Sequence, residues 1–247
     1  RLRQSLRAIK NLPKGSQVLE VGCGAGQFIR AVKKIRQEFD CFGCDISQKA
    51  VEAAISDEKG IQYSLSDTEK LPYEDESFDA VLIFDVLEHV ENPEALLKEV
   101  KRVLKSAGIF YCYVPCEGDW LSVWDLRKNI GSKQDLTGKY AGHVNKFSRR
   151  DLFQLLVNLG FNIFRVRYSE HLLGQLLGLV VFKMIAKMAS KQKISQLNNE
   201  QFFSQVNKDG GKLFKILKNI INFFINLESY FLCKVPSPNV HIVSRKS

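Results

Sequence analysis

The stretch Glu20-Val21-Gly22-Cys23-Gly24-Ala25-Gly26 constrains this chain more than any other part of it. It closes the β-rich apolar run Gln17-Val18-Leu19-Glu20-Val21 and precedes Phe28, Ile29, Val32 and Ile35, which recur at helical spacing. A glycine-rich turn between a strand and a helix lets backbone approach a ligand closely and aims amide N–H groups at it. Dinucleotide sites use G-x-G-x-x-G; here the third glycine arrives one residue early and position 27 is Gln. Glu20, at the end of the strand, would repel a pyrophosphate and accept a cationic amino-acid group.

The remainder of the chain alternates in the same way. Strands are expected at 40–44, 61–63, 80–84, 109–114, 161–168 and 240–243, with Ala80-Val81-Leu82-Ile83-Phe84 apolar throughout, as a strand buried on both faces must be. Helical periodicity marks 1–11 (Leu2, Leu6, Ile9), about 26–37, a stretch after Ser47, a stretch after Pro93 and a stretch after Ser148. The expected fold is α/β: a doubly wound, seven-stranded, mostly parallel sheet with a helical insertion before the last strand. Residues 1–170 plus 239–247 would form the main domain and 171–238 the insertion.

Two more carboxylates sit at strand ends. Asp45 closes the second strand, where it can meet ribose hydroxyls. Asp67 follows the third, where it can accept from an adenine amino group; the plainer alternative makes both ordinary turn residues. With these positions in view, the chain resembles the class I S-adenosylmethionine (SAM)-dependent methyltransferases. Val18 to Gly26 looks like their first motif and Gly43-Cys44-Asp45-Ile46-Ser47 like the ribose motif. Asp67-Thr68, Leu71-Pro72 and Ser77-Phe78-Asp79 look like the adenine loop, and Leu104-Lys105-Ser106-Ala107-Gly108 like the L-K-P-G-G turn, with Ser106 and Ala107 as departures.

The resemblance implies SAM as cofactor. Glu20, Gly22, Cys23, Gly24 and Gly26 would hold its methionine end, Asp45 and Ile46 its ribose, and Asp67 and Thr68 its adenine. Phe84 and Asp85 would line the floor near the methyl group. Asp85-Val86-Leu87-Glu88-His89-Val90 resembles the E-V-L-E-H-V of ubiquinone-type O-methyltransferases, in which two carboxylates and a histidine are associated with a divalent metal. If 85–89 are helical, Asp85, Glu88 and His89 share one face. Alternatively, Glu88 and His89 shape the pocket or cap a helix, and no residue is assigned to a metal. His143, within Gly142-His143-Val144-Asn145-Lys146-Phe147-Ser148, is the first candidate for a general base, with His89 the other catalytic candidate; a loop-anchoring histidine is the structural alternative. Glu117, Trp120 and Trp124 would cover an acceptor. The implied reaction is methyl transfer to a small-molecule acceptor at oxygen; a catalytically silent SAM-binding scaffold and a membrane-associated lipid or quinone methyltransferase are the alternatives.

Net charge is +9, with basic residues enriched at the N-terminus and between Lys183 and Lys218. No basic run is interleaved with stacking aromatics, which argues against nucleic acid as the partner. The segment Leu172 to Phe182 is apolar but too short to span a bilayer, and a basic amphipathic helix opens at Lys212. Segments 172–189 and 212–232 could therefore touch a membrane surface, form a lid, or make a homodimer contact. The C-x-x-C at Cys41 and Cys44 lies in a strand, so its thiols are expected to be buried and reduced, as in a cytoplasmic compartment.

Overall fold

The computed structural model describes residues 1–57, 60–67, 70–120, 122, 138, 141–177, 180 and 212–247. Strands β1 (Gln17–Val21), β2 (Asp40–Asp45), β3 (Ile61–Leu65), β4 (Phe78–Phe84), β5 (Leu104–Pro115), β6 (Phe161–Ser169) and β7 (Asn239–Lys246) form one sheet in the order β3-β2-β1-β4-β5-β7-β6. The pairs β1/β2, β1/β4, β2/β3 and β4/β5 are all parallel. Helices α1 (Leu2–Ala8), α2 (Gln27–Ile35), α3 (Gln48–Asp57), α4 (Pro93–Val103), α5 (Arg149–Asn158) and α6 (Lys212–Phe231) alternate with them. This is the doubly wound fold the alternation predicts.

The strand order places the site. From β1 the chain winds outward through β2 to β3, then returns to lay β4 on the other side of β1. Ligands of open α/β sheets bind outside the carboxyl ends of the strands where the winding reverses. Val21 of β1 pairs with both Cys44 and Ile83. Gly22 and Asp45, each one residue past a member of this row, and Asp85, two past Ile83, therefore emerge at the same end of the sheet.

Local chemistry sets several boundaries. The side chain of Asn92 accepts the Ala95 N–H at 3.0 Å and Pro93 occupies the first turn of α4, a cap worth about 1 kcal/mol. Ser47 Oγ accepts from Ala50 N at 3.3 Å, as its N-cap position predicts. β5 starts earlier than the expected Ile109. The chain passes from α4 straight into extended backbone at Leu104, and the register with β4 slips between Phe78 and Ala80. Ala107, inside that irregular stretch, has φ +57°.

Two compact units divide the chain. The first contains Arg1–Pro115, Arg150–Val166 and His241–Ser247, and the second Cys116–Arg149 and Arg167–Val240. The core of the first unit collects Val18, Ile29, Leu82, Phe84, Tyr111 and Tyr113. Within it the buried His241 Nδ1 lies 2.7 Å from the Tyr111 hydroxyl. Burial pushes that imidazole down to about 3, so it is neutral. Cys41 and Cys44 are buried on β2 as expected, and both are free thiols. In the second unit, α6 follows the predicted basic amphipathic segment, and residues 172–177 are helical. The remainder of 172–189 lies outside the described residues apart from Val180.

Candidate active site

The glycine turn is held from two directions. Gly22 and Cys23 both donate their N–H to Cys44 O, at 2.8 and 3.0 Å. Gly24 donates to Asp45 Oδ2 at 2.7 Å. The other oxygen of Asp45 accepts from Ser47 N at 2.9 Å. Asp45 therefore joins the turn after β1 to the start of α3 and fixes its own carboxylate in the process.

The three glycines differ in what demands them. Gly22 has φ +72°, and a Cβ there would lie 2.3 Å from Val86 Cγ2. Gly26 has φ +80°, and a Cβ would lie 2.4 Å from the Tyr63 hydroxyl. Beside Gly24 no atom lies within 4 Å of where a Cβ would sit. The outer glycines are thus required by packing, and the central one leaves room beside the backbone. The sequence could not announce Val86 or Tyr63 as the reasons.

Glu20 is buried, and its Oε2 accepts the Ile29 N–H at 2.7 Å in the first turn of α2. Burial pushes its carboxyl up to about 8, against the lowering effect of that hydrogen bond. Cys23 is also buried, and burial raises its thiol far above the ordinary range.

Beyond the strand ends a cleft of about 590 Å³ is lined by Gly22, Asp45, Ile46, Asp67, Asp85 and His89, among others. That volume falls within the range of small-molecule sites, and its carboxylates suit a ligand with hydroxyls and positive charge. Ile46 is exposed at its rim. Asp67 Oδ1 accepts from Lys70 N at 2.7 Å, so this residue is both a turn former and a lining residue. Thr68 lies outside the described residues. The following loop is anchored by Arg102, which donates to Tyr73 O (2.8 Å), Leu71 O (3.1 Å), Asp75 (2.7 Å) and both oxygens of Glu99.

Residues 85–89 are not helical. They form a turn closed by His89 N donating to Val86 O at 2.8 Å, and Asp85 has φ +50°. The shared helical face expected for Asp85, Glu88 and His89 is therefore not formed. Glu88 is fully buried, whereas Asp85 and His89 line the cleft. Asp85 also pairs with Arg1, whose guanidinium sits 4.3 Å over the Tyr113 ring. Phe84 is placed in the core, stacked on Phe28 at 4.3 Å, and is not among the cleft residues.

The second unit holds His143 in a defined setting. His143 Nδ1 lies 3.0 Å from Glu117 Oε1, and both side chains are largely buried. Next along the chain, Gly118 N donates to Phe147 O at 3.0 Å. Asp119 then receives Arg149, with Nη2 to Oδ1 at 3.0 Å and Nε to the other oxygen. Three successive residues, 117 to 119, are thus tied to 143, 147 and 149. A Cβ at Gly118 would lie 2.6 Å from Lys146 O, so the two segments pack too closely for any side chain there. The expected loop residue Trp120 is exposed, and Trp124 lies outside the described residues.

Comparison with known proteins agrees with the fold. Residues 19–112 match the family described as a methyltransferase domain. The chain is 33% identical over 161 residues to the uncharacterized protein MJ1123 of Methanocaldococcus jannaschii, covering 64% of this chain and 71% of that one. It is 32% identical to the mouse protein named "Probable tRNA methyltransferase 9B" over 46% of this chain, but spans only 24% of that protein's length. Among solved structures, a Thermotoga maritima protein described as a "SAM-dependent methyltransferase, possible histamine N-methyltransferase" superposes with a TM-score of 0.52 at 26% identity, covering 68% of this chain and 74% of that one. The fold and the motif define a SAM-binding α/β enzyme. The chain belongs to the class I SAM-dependent methyltransferases.

Proposed function

We propose that this enzyme transfers the methyl group of SAM to the oxygen of a small-molecule acceptor, with His143 as general base. The observation that carries this reading is the buried His143–Glu117 pair at 3.0 Å. A carboxylate 3.0 Å from Nδ1 favours the imidazole proton on that side of the ring, which leaves Nε2 to take a hydroxyl proton as the oxygen attacks. Oxygen acceptors need that proton removed. SAM itself supplies an activated methyl on a sulfonium, so the chain's remaining task is orientation.

In this reading Asp45 receives the ribose hydroxyls on lone pairs not used by Gly24 and Ser47, with Ile46 at the rim. Asp67 takes the adenine edge beside Thr68. Gly22, Cys23, Gly24 and Gly26 give the methionine end its backbone cradle, Glu20 faces its ammonium group, and Asp85 bounds the floor. His89 contributes to the cleft wall. The main domain, 1–170 plus 239–247, carries this machinery, and 171–238 serves it as an accessory element. Six free thiols support a reducing, cytoplasmic setting.

The test is turnover of SAM to S-adenosylhomocysteine against a panel of phenols, sugars, lipids, amines and transfer RNA. Activity on hydroxyl-bearing small molecules that is lost in His143→Ala supports the proposal. Activity confined to transfer RNA, toward which the mouse relative points, would replace it.

A further inference from the structure

We propose that the exposed apolar side of α6 docks this protein on an anionic membrane surface. Ile220, Phe223, Phe224, Leu227 and Phe231 are all exposed, Phe223 at 61% and Phe231 at 72%. Their spacing of three, four, seven and eleven residues from Ile220 puts them on one side of the helix. Exposed apolar surface of this kind on an ordered helix marks an interaction site.

The helix is not simply detached. Another side of it is fastened within the second unit: Glu228 accepts from Leu172 N and Leu173 N, each at 3.2 Å, and Ser229 Oγ accepts from Glu170 N at 3.0 Å. Leu172 is exposed beside this attachment at 62%. The aromatic side is therefore held outward by contacts made on the other.

Charge identifies the occupant. From Lys183 to Lys218 the sequence carries eight lysines against two acidic residues, Glu200 and Asp209. A second copy of this chain would bring the same positive charge to the contact, and self-association would have to overcome that repulsion. An anionic lipid surface offers the opposite sign, and Phe-rich apolar faces flanked by lysine are what lie in the interfacial layer. Among the described residues no helix is long and apolar enough to cross a membrane, so the mode is resting on the bilayer.

The test is vesicle flotation with the full chain, comparing phosphatidylcholine vesicles with vesicles containing about one-third phosphatidylglycerol. Binding is expected only to the anionic vesicles and should fall as salt rises from about 0.1 M to about 1 M. The variant Phe223→Ser/Phe224→Ser/Phe231→Ser should lose roughly tenfold or more in partitioning with SAM affinity unchanged. If that variant does not fold, Lys212→Glu/Lys215→Glu/Lys218→Glu gives the same reading through charge. Absence of binding to anionic vesicles overturns the proposal, as does equal binding to both kinds. So does a concentration-dependent dimer that the Phe variant dissociates without any vesicle binding.

Discussion

Asp45 Oδ2 accepts the N–H of Gly24 at 2.7 Å across 21 residues of sequence, so the residue proposed to hold a ribose also holds the turn that would hold the rest of the ligand. Asp45→Ala removes both functions. We expect SAM affinity to fall by about 1–3 kcal/mol, with most of that loss recovered in Asp45→Asn, which keeps one acceptor oxygen. Calorimetric titration of folded protein measures this, and an unchanged dissociation constant in the Ala variant would refute the ribose assignment.

Glu20 makes stability depend on pH in a particular direction. Its folded-state pKa, about 8, lies above the ordinary 4.5. The folded state thus holds a proton that the unfolded chain has released. That contribution is complete below about 4.5 and is lost as pH rises through 8. Glu20→Gln keeps an oxygen for Ile29 N–H and removes the ionisation. Urea unfolding without ligand should find the variant more stable than the parent by on the order of 1–3 kcal/mol near pH 8, with the advantage vanishing toward pH 4.5. The same variant should bind SAM more weakly if Glu20 meets the ammonium group. Weaker stability at every pH would mean that the carboxyl is not buried in its neutral form.

His143→Ala should lower kcat on a hydroxyl acceptor by about 10²- to 10⁴-fold, while SAM affinity stays unchanged. Glu117→Gln should lower kcat less, by roughly tenfold, because it orients the base without replacing it. Equal losses in SAM affinity would show that this pair serves the fold alone.

Ala107 sits at φ +57°, exposed, where an L side chain is strained. Ala107→Gly should raise stability by about 0.5–1 kcal/mol without touching the cleft. A thermal or urea midpoint that falls would show that this conformation is not kept in solution.

Tyr111→Phe deletes the hydroxyl 2.7 Å from buried His241 Nδ1. The expected cost is about 1–3 kcal/mol, read as a lower urea midpoint at constant slope. Because His241 titrates near 3 when folded and near 6.5 otherwise, the stability it contributes is present above 6.5 and is lost as pH falls toward 3. His241→Phe should therefore flatten the acid limb, and an unaltered limb would argue against a neutral buried imidazole.

What the sequence revealed was whatever local chemistry determines. The alternation of apolar runs located all seven strands, and the residues closing β1, β2 and β3 pointed to the cleft because strand ends converge at the winding reversal. Contacts between distant segments were not legible. Nothing in the spacing of Glu117 and His143, or of Asp119 and Arg149, announces a partner. Nor did the apolar and charged pattern at 85–89 reveal that backbone at φ +50° would turn it away from a helix. The side chain of Phe84 was drawn inward by Phe28 and Tyr111, a packing decision made in three dimensions.

The ties of 117, 118 and 119 to 143, 147 and 149 have a consequence for how such an enzyme can change over time. They fasten both ends of the intervening stretch at one place, so His143 and Glu117 stay together whatever lies between them. Lengthening a closed loop costs little, about 0.6 kcal/mol per doubling. Sequence between 120 and 142 can therefore be exchanged or extended while that pair is inherited intact.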